Sequence, residues 1–265
     1  MIATHIVILF VASIAGGFAN AVAGGGTFFT FPALVSGGLS NLVANATSAT
    51  SIFPGHGMSA YAYREELVRS DRPRLITIII MSIIGAIAGA YLLTVTSEKT
   101  FKGMVPYLLL FATVSFAFGP ALQKALKSKQ AEIAAKPKAS GTTLGTKIAY
   151  FCTSIYGGYF GAGQGIVLMT ILTLTGVEDV QEANAIKNLV AAIASMIAVI
   201  ILAFKGLVTW DLGLLMIVGA MVGGFIGGKA AKKLNKKTLR AVIILFGSFL
   251  SAWYFYKTYF IVVAA

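Results

Sequence analysis

Two clusters of glycines, each within a long apolar stretch, carry the strongest chemical signal in the sequence. The residues concerned are Gly24, Gly25, Gly26 and Thr27 in the first cluster and Gly163, Gln164 and Gly165 in the second. Each consecutive glycine destabilises a helix by about 1 kcal/mol, so we expect the chain to unwind at both clusters. A helix that restarts after such a break presents unpaired main-chain N–H groups, which favour an anion. The clusters therefore predict anion-binding turns, and close helix packing without a ligand is the alternative.

The apolar stretch that follows each cluster carries a row of polar side chains. These are Asn45, Thr47, Ser48, Thr50 and Ser51 in the first stretch and Asn184, Lys187, Asn188 and Ser195 in the second. Because such groups are costly against lipid, they should face the interior of the protein. We predict that the substrate site includes Asn45, Ser48, Asn184, Lys187 and Asn188. Thr47 and Thr50 are interpreted as contacts between helices.

Lys187 supplies a positive charge to this pattern. Asp179 and Glu182 have the spacing of a capping pair at a helix start, which places Lys187 about 12 Å along that helix. It would then lie beside the second glycine cluster, although its long stem could instead reach back to the membrane surface. His56 could titrate during transport, but a hydrogen bond at the membrane interface is the preferred interpretation.

Several chemistries are excluded by residues that the sequence lacks. All nine acidic residues lie in predicted loops or at the ends of predicted spans, whereas a cation pump or an intramembrane aspartyl protease needs a carboxylate in the membrane. His5 and His56 lie far apart and Cys152 is the single cysteine, so we expect no metal and no cofactor. The Gly-x-Ser-x-Gly motif of serine hydrolases is absent. We therefore expect a small anionic substrate and no enzymatic activity.

The composition is that of a polytopic membrane protein. The chain has 265 residues, of which 57% are hydrophobic and 11% are charged, whereas soluble domains have about 25% charged residues. The net charge of +12 could indicate nucleic acid, but the basic residues lie between apolar runs, where they act as topology signals. The expected partners are the lipid bilayer and the anion, with no nucleic acid.

The apolar stretches predict an all-α integral membrane protein with about eight membrane helical elements. We divide the chain into a first membrane repeat at 1–123, a basic cytoplasmic linker at 124–143 and a second membrane repeat at 144–265. The two four-element halves match at a shift of 139 residues, and the matched residues are Gly26 with Gly165, Asn45 with Asn184, Gly85 with Gly224 and Gly89 with Gly228. Internal repeats of this kind are common in transporters.

Positive charge distinguishes an inverted from a parallel repeat. The linker, the 64–74 segment and the 229–240 loop are all rich in lysine or arginine, so all three should lie on the cytoplasmic face. If every element crossed the membrane once, the linker and the 229–240 loop would lie on opposite faces. The conflict disappears if residues 6–35 and 144–175 each form a hairpin that turns at its glycines and returns. Three crossings then remain in each half, and the repeat is inverted; a parallel repeat is the alternative.

The ordered motifs of both halves resemble those of a known family. The first half contains Gly24-Gly25-Gly26-x5-Pro32-x-Leu34 and then Ala44-Asn45-Ala46-Thr47-Ser48. The second half contains Tyr156-Gly157-Gly158-Tyr159-Phe160-Gly161-Ala162-Gly163-Gln164-Gly165 and then Ala183-Asn184-Ala185-Ile186-Lys187-Asn188. Over nearly the whole chain the sequence resembles the TauE/SafE sulfite exporter family, also called the 4-toluene sulfonate uptake permease family, in its YfcA-like branch.

The resemblance implies a function and a set of site residues. It implies a multi-pass transporter of the bacterial inner membrane that exports a small sulfur-containing or organic anion, such as sulfite or a sulfonate. By the match, the substrate site falls on residues 24–27, Asn45, residues 163–165, Asn184 and Lys187. We predict alternating access around a midplane site between the two hairpins. An anion channel is the alternative, and an intramembrane enzyme is less favoured.

Overall fold

The structure is a computed structural model, and it describes residues 2–133, 143–177, 179–230 and 236–261. Every regular element within these residues is helical, which confirms the all-helical prediction for them. The helices are α1 (Ile2–Ala23), α2 (Thr27–Ser36), α3 (Asn41–Ala62), α4 (Arg64–Arg69), α5 (Arg72–Val95), α6 (Glu98–Ile133), α7 (Leu144–Tyr159), α8 (Gln164–Leu174), α9 (Val180–Phe204), α10 (Trp210–Ala230) and α11 (Lys236–Tyr256), followed by a π-helical turn at Lys257–Ile261.

Six helices of the described chain are long and apolar enough to cross a membrane, namely α1, α5, α6, α9, α10 and α11. The sequence also led us to expect six crossings, but it assigned one to the stretch that forms α3 and none to α1. Although α3 has 22 residues, polar side chains such as Asn41, Asn45 and His56 lower its hydropathy. The grouping of the helices into eight elements and two repeated halves stays a prediction.

Helix α6 extends further than the sequence predicted. It has 36 residues and ends at Ile133, so the first part of the predicted 124–143 linker is helical. The lysine, alanine, glutamine and glutamate residues of this part are good helix formers, which explains the extension. Residues 134–142 of the linker and 231–235 of the other basic loop lie outside the described residues.

Two helix pairs, α1 with α10 and α5 with α7, form the closest packing. A Cβ atom on Gly223 of α10 would overlap the carbonyl oxygen of Ile14 on α1. A Cβ atom on Gly89 of α5 would overlap the carbonyl oxygen of Ile155 on α7 in the same way. The glycines therefore let the backbones touch, as is common between membrane helices.

Polar contacts fix the ends of the central helices. The Glu98 carboxylate accepts hydrogen bonds from the main-chain N–H of Asn41 (2.6 Å) and of Leu42 (3.0 Å), at the start of α3. Asp179 accepts one from Gln181 N–H (2.8 Å), which confirms the predicted start of α9. The two capped helices, α3 and α9, pack against each other in the centre of the protein.

Candidate substrate site

Both glycine clusters interrupt the helical structure. Helix α1 ends at Ala23 and α2 begins at Thr27, and α7 ends at Tyr159 before α8 begins at Gln164. Gly24 and Gly161 open the two interruptions with a φ of +80°, a conformation that glycine adopts without steric cost. Within the second interruption, the hydroxyl of Tyr156 donates to the carbonyl oxygen of Ala162 (2.6 Å). Such bonds are needed because unwound backbone at membrane depth has to find its partners within the protein.

Phe116 of α6 packs against both interruptions. An added Cβ would lie 3.3 Å from its ring at Gly25 and 3.4 Å from it at Gly163. Pro120 has no N–H group to bond the carbonyl of Phe116 four residues earlier, and Arg240 of α11 donates its Nε–H to that carbonyl instead (2.7 Å). The position of Phe116 is thus fixed by α6 and α11 together, and it holds the two interruptions close to each other.

A cavity of about 50 Å³ lies between the two interruptions, enclosed by α3 and α9. The predicted site residues in its wall are Gly24, Thr27, Asn45, Gln164, Gly165, Lys187 and Asn188. The wall follows one face of α3 from Asn45 to Ser59, which corresponds to about 20 Å along the helix axis. Since a single water molecule needs about 10–15 Å³ of such space, the cavity has room for a small ion.

Lys187 lies in the cavity wall beside the second interruption. A Cβ atom on Gly165 would lie 3.1 Å from Lys187 Cδ, so the lysine stem passes directly over this glycine. Its ammonium donates to Asn184 Oδ1 (3.3 Å). No carboxylate of the described residues lines the cavity, and Lys187 supplies a positively charged group to the described wall.

Two buried amide groups in the wall have unsatisfied polar atoms. Asn45 and Gln164 are only 2% and 5% exposed. Asn45 Nδ2 donates to the carbonyl oxygen of Tyr159 (2.9 Å), but Asn45 Oδ1 and Gln164 Nε2 have no partner among the described residues. A buried polar atom without a partner costs about 1–3 kcal/mol, and these two atoms are available to a ligand in the cavity.

The main chain of α8 offers a further donor at the same place. The N–H groups of Gln164 and Ile166 donate to the carbonyl oxygens of Gly161 (3.2 Å) and Gly163 (3.0 Å). The N–H of Gly165, which lies between them, has no main-chain acceptor within the part of the chain that the structure describes. A free N–H in the first turn of a helix is a typical anion-binding group.

Comparison with known proteins identifies the family. The family described as Sulfite exporter TauE/SafE matches residues 8–254 of the chain. The chain belongs to the TauE/SafE family.

Curated relatives of this TauE/SafE protein carry transporter names. The Escherichia coli K12 protein named Probable membrane transporter protein YfcA is 27% identical over 255 residues, which is 96% of this chain and 90% of the relative. The Haemophilus influenzae protein named Probable membrane transporter protein is 25% identical over 247 residues, which is 92% of this chain and 92% of the relative. A Sinorhizobium protein named Probable membrane transporter protein ORF9 is 27% identical over 238 residues, which is 89% of this chain and 87% of the relative. No solved structure matches the chain.

The comparisons establish the general class of this TauE/SafE protein. It is a membrane transporter rather than an enzyme, and it is a multi-pass protein of the bacterial inner membrane. The predicted family membership is therefore confirmed. As a transporter it has a small substrate and the lipid bilayer as its partners.

The remaining predicted site residues of this TauE/SafE protein do not line the cavity. Gly26 packs against Gly16 of α1, and Gly25 and Gly163 pack against Phe116. The hydroxyl of Ser48 is hydrogen-bonded to that of Thr30 on α2 (2.6 Å), and Asn184 accepts from Lys187. These residues are placed to support the wall and its interruptions.

The wall also contains polar residues that the sequence interpretation did not select. They are Asn20, His56, Ser59, Tyr159 and Ser195. The signal for His56 and Ser59 was present, because residues 45, 49, 52, 56 and 59 follow each other at intervals of three and four and therefore share one helical face with Asn45. Asn20 precedes an interruption on another helix and carries no comparable periodic signal.

Proposed function

We propose that this protein carries a small anion across the inner membrane by binding it in the cavity between the two interruptions. The observation that carries the proposal is the convergence on one cavity of Lys187, the free amide of Gln164 and the N–H of Gly165. All three donate hydrogen bonds, and no described carboxylate opposes them. Such a donor set suits an oxyanion, and hydrogen bonds from a charged donor are the stronger ones.

The unpaired acceptor in the wall, Asn45 Oδ1, also restricts which anions suit the cavity. Asn45 Oδ1 can only accept a hydrogen bond, so it suits an anion that carries a proton or a bound water molecule. Sulfite, which is a protonated monoanion in mild acid, and small sulfonates are the first substrates to test, and the family description motivates export as the direction.

We also propose that the protein consists of two repeated halves in inverted orientation. The pairing of α1 with α10 corresponds to the pairing of α7 with α5, which supports the repeat. Tyr150, near the start of α7, and Thr175, after α8, are joined through their hydroxyls (3.0 Å), which is consistent with a hairpin that returns to the cytoplasmic face. Close contact of Gly16 on α1 with Thr30 on α2 is consistent with a second hairpin. The basic linker at 124–143 would join the halves on the cytoplasmic side.

The two hairpins are packed differently, which supports alternating access. Helix α8 lies against α6, where Gly119 abuts Ile166 and Gln123 donates to Thr170 (3.2 Å). Helix α2 meets α11 through the stacked rings of Phe29 and Phe246, whose centroids are 5.0 Å apart, and a groove of about 400 Å³ lies beside this contact. In an inverted repeat, exchange of these two arrangements opens the central cavity to the other face.

Binding of anions to the purified protein tests the proposal. The thermal unfolding of the protein in detergent is measured with sulfite, methanesulfonate, sulfate and acetate as sodium salts at equal ionic strength. A ligand that binds the native state raises its stability, by about 2.7 kcal/mol at one hundred times its dissociation constant. Stabilisation that follows the identity of the anion supports the proposal. Equal effects of all four salts would refute it.

A further inference from the structure

His56 is a titratable side chain in the cavity wall. The anion site proposed above assigns it no role. It lies on the face of α3 that also carries Asn45, Ile52 and Ser59. The imidazole therefore shares one cavity with Lys187 of α9. This is a position from which its charge acts on a bound anion.

The groups that face His56 from the neighbouring helices are mostly uncharged. Helix α9 contributes the positive charge of Lys187, α1 contributes Asn20 and α2 contributes Thr27. Helices α7 and α8 contribute the neutral groups of Tyr159 and Gln164.

The described acids on the helices that contact α3 do not line the cavity. Glu182 lies in the first turn of α9, five residues before Lys187. Glu98 of α6 is bound to Asn41, at the start of α3, which is about 22 Å from His56 along the helix axis. Asp211 lies in the first turn of α10, and the adjoining Thr209 bonds to Thr47, near the same end of α3. Among the described residues, no carboxylate lines the cavity that would hold His56 in its protonated form.

The charge of His56 is therefore coupled to the occupancy of the cavity. When the cavity holds no anion, Lys187 repels an imidazolium, and the neutral imidazole is favoured. When an anion is bound, its charge offsets that of Lys187 and attracts the proton. Coupling of this kind is reciprocal, so protonation of His56 must strengthen anion binding to the same extent.

We propose that His56 takes up one proton together with the anion, so that the protein moves the two in the same direction. The proton passes from water to an imidazole nitrogen on the face where the anion enters. It returns to water on the opposite face when the anion leaves. One anion and one proton carry no net charge, so the transport cycle is independent of the membrane potential. Export then proceeds whenever the outward anion gradient exceeds the inward proton gradient. This inference rests on the proposed function, because it assigns the coupling ion of the same site.

Proteoliposomes with methanesulfonate as the probe test this coupling. Methanesulfonate stays a monoanion in neutral and mildly acidic solution, so that changes in pH act on the protein alone. The membrane potential is held at zero, and a tenfold proton gradient is applied with the acidic side outside. Coupling of one proton to one anion predicts about tenfold accumulation of methanesulfonate by the wild-type protein.

The matched variants are His56→Gln and His5→Gln, because His5 is exposed near the start of α1. We expect His5→Gln to accumulate the probe like the wild type. We expect His56→Gln to bind methanesulfonate, as judged by thermal stabilisation, but to bring it only to equal concentrations on both sides. Accumulation by His56→Gln at the wild-type level overturns the inference.

The failure of the inference can be told apart from failure of the proposed function. If the wild type equilibrates methanesulfonate without accumulating it in the proton gradient, the coupling is wrong while the anion site stands. If the wild type neither binds nor moves methanesulfonate or sulfite, the proposed function is wrong, and the coupling is wrong with it.

Discussion

Asn45 on α3 and Tyr159 at the end of α7 are joined by a hydrogen bond of 2.9 Å from the side-chain amide to the main-chain carbonyl, although 114 residues separate them in sequence. The bond ties the central helix α3 to the second interruption. It also orients the asparagine, because Nδ2 faces Tyr159 and Oδ1 is left without a partner among the described residues. One residue thus contributes both to the fold and to the cavity wall.

Replacement of Asn45 should therefore affect stability as well as binding. We expect Asn45→Ala to lower the free energy of unfolding by about 1–3 kcal/mol, since the buried carbonyl of Tyr159 loses its partner. Ser59→Ala is the matched control on the same helix face, because the Ser59 hydroxyl donates within its own helix to Gly55 O (2.8 Å). Denaturant unfolding in detergent measures both variants. Equal stability of the two variants would contradict the structural role of Asn45.

A negative charge at Gln164 should weaken anion binding. Gln164→Glu keeps the shape of the side chain but places a carboxylate where the free amide lies, and repulsion at this buried position should weaken sulfite affinity by about tenfold or more. Gln181→Glu is the control, because Gln181 is exposed in the first turn of α9. Titration of the thermal shift with sulfite gives the affinities. Unchanged affinity in Gln164→Glu would remove this residue from the site.

Gly157 should be required for the position of Gln164. A Cβ atom at Gly157 would overlap the side-chain amide of Gln164, whereas one at Gly145 in the same helix meets no neighbour within 4 Å. We expect Gly157→Ala to displace the amide and weaken sulfite binding, while Gly145→Ala leaves it unchanged. The thermal-shift titration again measures the effect. If the two alanine variants bind sulfite equally well, the amide of Gln164 does not contact the anion.

The glycines between paired helices should matter for stability. We expect Gly89→Ala and Gly223→Ala to lower the free energy of unfolding by about 1–3 kcal/mol, since overpacking of a tight contact costs this amount. Gly57→Ala is the control within α3, because an added Cβ there meets nothing within 4 Å, and its helix propensity should make it neutral or stabilising. Denaturant unfolding measures the stability of all three variants. If Gly89→Ala and Gly223→Ala are as stable as Gly57→Ala, the tight packing at these glycines is contradicted.

Local signals made part of the cavity wall predictable. The positions of the interruptions followed from consecutive glycines, and the start of α9 followed from Asp179. Lys187 could be placed because its distance from that start is fixed by helix geometry. The place of His56 in the cavity wall was not predicted, since it depends on the face that α3 turns to α9, which is a property of the packing.

No single sequence offset aligns all corresponding residues of the two proposed halves. The sequence matched Gly26 with Gly165, but the glycines with equal positive φ are Gly24 and Gly161, which differ by 137 residues. The contacts of Gly85 and Gly89 with α7 correspond to those of Gly219 and Gly223 with α1, which is a shift of 134 residues (219 minus 85). Helix α2 has 10 residues and α8 has 11, and such differences in length change the shift from one element to the next.

The central claim is that the cavity between the two interruptions binds the transported anion through Lys187. Sulfite flux into proteoliposomes, measured with Lys187→Gln and Lys205→Gln, tests it most directly, because Lys205 is exposed at the other end of the same helix. Loss of one hydrogen bond from a charged donor should reduce flux at low sulfite concentration by about tenfold or more in Lys187→Gln. Lys205→Gln should transport like the wild type. Flux and apparent affinity at the wild-type level in Lys187→Gln would contradict the account.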